Sequence, residues 1–218
     1  PMIVVITGGS AQAIPTIKAR ANAILVAWYP GGEGGAAVAD VLFGDADPGG
    51  RLPVTFYAST ADLPPFSEYS MRERTYRYFS GQPLWPFGHG RSYTTFRYDD
   101  LRVESTREVG ATPVLSVTVT NTGARAGDDV VLAFVTHEGA GGSAPRRALA
   151  AFRRVTLEAG ASTRVNLPLD AEPLTLVDEQ GTRRPAAGPI TVTLGALSTT
   201  FRGTDASAME RRRGLKTP

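Results

Sequence analysis

One carboxylate, Glu33, stands in the glycine-rich run Trp28-Tyr29-Pro30-Gly31-Gly32-Glu33-Gly34-Gly35. A carboxylate in such a turn can do two kinds of work. It can accept hydrogen bonds from the backbone amides of the turn or cap a following helix. Alternatively, it can face a ligand, because loops at the carboxyl ends of parallel strands are where open α/β sheets bind their ligands. The glycines permit backbone conformations closed to other residues and let a partner approach closely. The residue types favour the first of these, amide binding or capping.

The flanking sequence must position this loop. Ile24-Leu25-Val26-Ala27 before it is an apolar run, as in a strand covered on both faces. Pro30 ends that strand by removing a ladder donor. Val38, Val41 and Leu42 recur at helical spacing, with Gly44 as the stop. Met2–Thr7 reads as a preceding strand and Ala13–Ala21 as a helix, with Pro15 in its first turn. Leu52–Phe56 reads as a short edge strand because of Pro53. Residues 1–56 are therefore β-α-β-α-β, part of a parallel sheet. Two such units bury too little apolar surface to stand alone. A chain that opens inside a strand reads as the tail of a longer protein.

Residues 57–96 are rich in proline and glycine, which precludes long regular elements. They also carry Phe66, Tyr69, Tyr76, Tyr78, Phe79, Trp85, Phe87, Tyr93 and Phe96. A solvated linker would not, so this stretch reads as a connector packed against domain surfaces, with Tyr76–Phe79 as a short strand. Residues 97–203 are all β: Leu115, Val117 and Val119 alternate with Ser116, Thr118 and Thr120, and Asn121-Thr122-Gly123 turns the chain. About seven strands in roughly 100 residues predict an immunoglobulin-like or fibronectin type III-like sandwich. Asp128-Asp129 read as a solvated turn, and Arg146, Arg147, Arg153 and Arg154 as a basic patch protecting a sheet edge. Residues 204–218, with Arg211-Arg212-Arg213, read as a disordered basic tail.

Composition narrows the chemistry. The 218 residues carry a formal net charge of +2, which gives no argument for nucleic acid. With no cysteine, disulfides, thiolate metal sites and a cysteine nucleophile are excluded. No apolar run approaches a membrane span, and no leader is visible. His89 and His137 lack partners at ligand spacing, so neither a metal nor a cofactor is expected. Gly8-Gly9-Ser10 follows a strand but lacks both the nucleophile-elbow pattern and a phosphate-binding fingerprint.

Several motifs occur in a specific order. Trp28-Tyr29-Pro30-Gly31-Gly32-Glu33-Gly34-Gly35 precedes Ala39-Asp40-Val41-Leu42-Phe43-Gly44-Asp45, then Pro48-Gly49-Gly50-Arg51-Leu52-Pro53-Val54-Thr55-Phe56. Tyr76-Arg77-Tyr78-Phe79, Pro83-Leu84-Trp85-Pro86-Phe87-Gly88-His89-Gly90 and Ser92-Tyr93-Thr94-Thr95-Phe96 follow. In this order the chain resembles the C-terminal part of glycoside hydrolase family 3, the β-glucosidase and β-xylosidase family, up to the tail. Gly32, His89 and Arg91 depart from residues common in the family. The resemblance implies four segments: 1–56, the end of the family's α/β sandwich domain; 57–96, the connector; 97–203, its fibronectin type III-like domain; 204–218, the tail.

Retaining glycoside hydrolysis needs two carboxyl groups about 5–5.5 Å apart. The resemblance places the aspartate nucleophile on a missing N-terminal barrel domain and the acid/base glutamate on a loop earlier than residue 1. It therefore implies the C-terminal fragment of an enzyme acting on terminal β-D-glucosides or β-D-xylosides, with no catalytic residue of its own. Glu33, Trp28 and Tyr29 would then line the sugar pocket without doing the chemistry. Trp28 and Tyr29 could stack on a sugar, although aromatics beside a proline turn more often pack in a core. Arg72, Arg74 and Arg77 could pair with acidic groups of a neighbouring domain. The partners implied are a β-linked oligosaccharide or aryl glycoside through the full-length enzyme, and the barrel itself; neither nucleic acid nor membrane is expected. The parent enzyme is expected in the periplasm or secreted. The competing reading is a non-catalytic β-sandwich that binds carbohydrate or cell wall, which needs a row of exposed aromatics.

Overall fold

The computed structural model describes residues 1–104, 113–141, 144–178, 180–186 and 188–203. The expected basic tail at 204–218 lies outside the described residues. The chain divides into two compact units, Pro1–Tyr93 and Thr94–Pro218. A parallel strand pair with helices is followed by an antiparallel sandwich, the fold class the sequence predicts.

In the first unit β1 (Ile3–Thr7) pairs in parallel with β2 (Ala23–Trp28). Ile3 faces Ala23 and Ile6 faces Val26, after which the register slips so that Thr7 faces Trp28. Helix α1 (Pro15–Arg20) makes the crossover, with proline at its start and Lys18 and Arg20 in its last turn. Helix α2 (Gly34–Phe43) follows β2 and ends at Gly44, whose φ of 87° is left-handed. The expected covering of both sheet faces is not met within these residues. Ile6 is buried, but Ile3 and Val5 are exposed and β2 is only half-buried. Two strands and two helices have too little area to do more.

Two expected strands take other forms. Leu52–Phe56 makes no strand; it contributes a single bridge, Phe56 to Trp85. Pro53 has no amide to donate, and Leu52 pairs instead with the Gly88-His89 backbone, at 2.8 Å in both directions. Tyr76–Phe79 is not extended either. Thr75–Tyr78 forms a single helical turn, α3, in which the amide of Phe79 reaches the Thr75 carbonyl. Helical spacing lets Tyr76 stack on Phe87 at 4.2 Å and Phe79 meet Tyr57 edge-on at 4.9 Å. Aromatic packing thus overrides the strand preference of this run. Residues 57–93, expected as a connector, pack within the first unit.

The second unit holds two facing sheets. β3 (Phe96–Glu104), β4 (Val114–Asn121) and β7 (Ser162–Pro168) form one, in the order β3-β4-β7. β5 (Gly127–His137), β6 (Ala148–Leu157), β10 (Gly188–Leu194) and β11 (Leu197–Gly203) form the other, in the order β11-β10-β5-β6. A hairpin of β8 (Thr175–Val177) and β9 (Arg183–Pro185) stands beside them. All pairs are antiparallel. Leu115, Val117 and Val119 are fully buried against Val131, Ala133 and Val135, and Val165, Leu167, Ile190 and Val192 complete the core.

Asp128 and Asp129 correct the expectation of a solvated turn. Both lie in β5, and Asp129 is only 3% exposed. Tyr98 donates its hydroxyl to Asp129, which also accepts the amide of Val130 at 2.8 Å. Asp128 accepts from Arg154 on β6. The hydrogen bond from Thr156 and then the Arg154 guanidinium hold its carboxyl below the usual aspartate range. The arginines of the expected edge patch are used locally too. β6 ends its sheet, Arg153 reaches the Asn166 carbonyl, and Arg147 lies over the Phe134 ring at 4.6 Å.

Candidate functional site

The loop after β2 is built by backbone geometry. Trp28 closes the strand with φ 53°, a left-handed conformation unusual for a bulky residue. The amide of Gly8 donates to the Trp28 carbonyl at 3.0 Å, so the ends of β1 and β2 stay joined where the chains diverge. Gly31 is also left-handed, with φ 74°, and its carbonyl accepts the Gly34 amide at 3.2 Å. Gly34 is buried against Pro30; a β-carbon there would lie 2.6 Å from the proline Cγ. That close approach accounts for the glycine, and it seats the first turn of α2 on the proline that ended β2.

Glu33 occupies the N-cap position of α2, as a capping residue should, but its side chain caps nothing. Its carbonyl accepts the Ala37 amide at 3.0 Å, while its carboxylate is exposed. Of the two roles open in the sequence, side-chain capping is therefore the one this geometry lacks. Trp28 is half-buried and meets Phe56 edge-on at 6.2 Å, which makes it a packing residue in this unit. Tyr29 is 81% exposed, with its ring edge against Gly9; a β-carbon at Gly9 would lie 2.7 Å from that ring. The three residues singled out in the sequence thus lie in one loop with three different settings: Glu33 free, Tyr29 open on one face, Trp28 packed.

A clasp that sequence reasoning missed braces the far end of α2. Asp47 accepts the Ser92 hydroxyl at 2.7 Å and the Tyr93 amide at 2.8 Å, and Tyr93 donates its hydroxyl to the Val41 carbonyl at 2.6 Å. The signal was present in the Ser92-Tyr93 motif, but nothing local shows that it folds back on Asp47. Beside α1, Lys18 donates to the Leu84 carbonyl at 2.8 Å and lies over Trp85 at 5.3 Å, and Trp85 stacks on His89 at 6.4 Å. Burial, followed by the charges of Arg91, Lys18 and Arg51, lowers the affinity of His89 for a proton. No group of three or more His, Cys, Asp or Glu suited to a metal occurs among the described residues. On the sandwich, Phe134 is buried and Phe96, Tyr98 and Phe201 pack against the core, leaving Phe152 as the exposed aromatic among the described residues.

An exposed carboxylate and an open tyrosine thus stand on one glycine loop. Comparison with known proteins gives the chain a family. Residues 1–93 match the glycosyl hydrolase family 3 C-terminal domain, and residues 129–198 match a fibronectin type III-like domain. The chain is 41% identical over 198 residues to a xylan 1,4-beta-xylosidase of Xylanibacter ruminicola, covering 90% of this chain and 23% of that protein. It is 37% identical over 193 residues to a periplasmic beta-glucosidase of Salmonella typhimurium, covering 83% and 25%. Among solved structures, a family 3 exo-beta-xylosidase in complex with a xylobiose aziridine probe matches with a TM-score of 0.83 and 29% identity, over 93% of this chain and 30% of that one. A beta-D-glucoside glucohydrolase from Trichoderma reesei matches with a TM-score of 0.82 and 25% identity, over 92% and 33%. The chain belongs to glycoside hydrolase family 3, and corresponds to the C-terminal portion of its members with their fibronectin type III-like domain. It spans about a quarter of the length of the curated relatives it matches.

Proposed function

We propose that this chain is the C-terminal part of a retaining β-glycosidase that removes terminal β-D-glucosyl or β-D-xylosyl groups from oligosaccharides, and that it holds neither the nucleophile nor the acid/base. The observation that carries this reading is the continuous likeness, through both units, to proteins named β-xylosidase and β-glucosidase. The geometry agrees with it. The loop carboxylate Glu33 is exposed and caps nothing, which leaves it able to line a pocket. In the complete enzyme the loop of Glu33, Tyr29 and Trp28 forms a wall of the sugar pocket, with Glu33 and Tyr29 open and Trp28 packed, and a barrel domain supplies the nucleophile. The sandwich braces that assembly; it is not a carbohydrate-binding module, since the described residues offer Phe152 alone where a platform needs a row.

Two measurements test this. The pure chain is expected to release no nitrophenol from aryl β-glucosides or β-xylosides; release at an enzyme-like rate overturns the proposal. In the enzyme expressed with a barrel domain, Glu33→Gln is expected to lower kcat/KM by roughly 10- to 100-fold, about 1.4 to 2.7 kcal/mol. Azide, which substitutes for a lost acid/base carboxylate, is expected to restore nothing. Azide rescue would make Glu33 the acid/base.

A further inference from the structure

Arg77, in α3, has no partner that matches its charge. It is partly buried, its Nε is buried without a hydrogen-bond partner, and it makes no ion pair among the described residues. Its one ring contact among the described residues is with Tyr78, at 5.9 Å from the centroid, the outer limit for a cation–π attraction. The neighbouring charges are committed elsewhere. Arg74 donates to the carbonyls of Pro65 at 3.1 Å and Glu68 at 2.7 Å. Glu73 accepts both the amide and the hydroxyl of Ser80. Around Arg77 stand Tyr76, stacked on Phe87, and Phe79, packed on Tyr57. A guanidinium nitrogen buried without a hydrogen-bond partner is a cost to the unit that carries it.

The loop that Arg74 fastens to this turn is equally unfinished. Leu63 and Met71 are exposed, and Phe66 and Tyr69 are 94% and 88% exposed. Arginine and aromatic side chains are the residues that dominate protein–protein interfaces. A planar guanidinium matches a carboxylate with two parallel hydrogen bonds.

We propose that α3 and the loop 63–72 form a docking surface for a protein partner that brings a carboxylate to Arg77 and an apolar surface to Phe66 and Tyr69. The partner is the remainder of a longer family 3 polypeptide. This rests on the functional reading above, and on the fact that the chain spans about a quarter of its curated relatives. Arg77 is then a positioning residue. It costs the isolated unit stability and repays it on docking.

The test compares Arg77→Met in two settings. Both tryptophans, Trp28 and Trp85, lie in the first unit, so tryptophan fluorescence reports its melting. In the 218-residue chain, Arg77→Met is expected to leave Tm unchanged or raise it; a fall of more than about 3 °C overturns the proposal. The second setting is a chimera in which this chain replaces the corresponding portion of the Xylanibacter ruminicola β-xylosidase. There Arg77→Met is expected to lower Tm, with Arg77→Lys restoring only part of the loss. A chimera indifferent to Arg77→Met, or one in which the first unit melts as it does alone, also overturns the proposal. Loss of xylosidase activity in an unmutated chimera counts against the functional reading instead, while its melting still reports on Arg77.

Discussion

The two units spend their hydrophobic residues in opposite ways. Before Thr94 the buried hydrophobic residues are Ile6, Phe56 and Leu84, while Met2, Ile3, Val5, Ile17, Tyr29, Leu42, Phe43, Val54, Leu63, Phe66, Tyr69, Met71 and Tyr93 are exposed. After it the order reverses: the core runs from Leu115 to Leu194, and Phe152 and Val177 are the large hydrophobics exposed among the described residues. Since burial of apolar area is the main favourable term in folding, the sandwich is built to stand alone and the first unit is not. The first unit substitutes specific tethers, the Asp47–Ser92–Tyr93 clasp and the Lys18–Leu84 bond, for a core.

The sharpest break in this contrast is at Asn121, which is fully buried in the sandwich. It accepts from Thr94 and from the Gly123 amide, and donates to the carbonyls of Arg125 and Leu157. Asn121→Leu removes all four of these bonds at a fully buried position. It is expected to cost on the order of 4 kcal/mol, read by denaturant unfolding followed by circular dichroism. Tryptophan fluorescence should meanwhile move little. If both probes shift together, the units unfold as one and the contrast fails.

A paired core truncation gives the next effect. Leu167→Ala, at a residue 2% exposed, is expected to cost about 2 to 5 kcal/mol of sandwich stability. Ile6→Ala is expected to cost the first unit about half as much, because few other hydrophobic residues of that unit are buried. Equal losses would mean that the first unit is as well packed as the second.

The smallest effect is a pH dependence confined to the first unit. His89 binds a proton less readily folded than unfolded. Well above about pH 6.5 the residue is neutral in both states and stability is unaffected. As pH falls below that value the unfolded chain takes up the proton first, so stability declines until the folded residue also protonates. Acidification from pH 7.5 to 5.5 should therefore lower the tryptophan-reported Tm, and His89→Gln should flatten the slope. An unchanged slope in the variant would assign the dependence to other groups.

How much of this was legible depended on how local the deciding interaction was. The alternation of Leu115, Val117 and Val119 gave β4 because one face of a strand answers to one core. The loop around Glu33 was legible for the same reason, since proline, glycine and the helical period act within a few residues. Asp128-Asp129 misled because two adjacent acids look solvated. What buries Asp129 is a hydroxyl on Tyr98, 31 residues away. Tyr76–Phe79 misled because its aromatic residues suit a strand, while their partners, Tyr57 and Phe87, come from elsewhere in the chain. Turn chemistry marked Asn121-Thr122-Gly123 as a bend, but nothing in the triplet shows that the asparagine is buried.

That bend has a mechanical consequence. Thr94 donates to Asn121 at 2.6 Å, the Thr122 amide reaches the Thr95 carbonyl at 2.8 Å, and the Thr95 and Thr122 hydroxyls meet at 2.9 Å. The chain enters the sandwich at this point. A pull applied through Tyr93 meets these bonds before it reaches the ladder of β3, and must load them together. The sandwich is therefore latched at its entrance, and its resistance to force is set there by a rate of rupture, separately from the depth of its core.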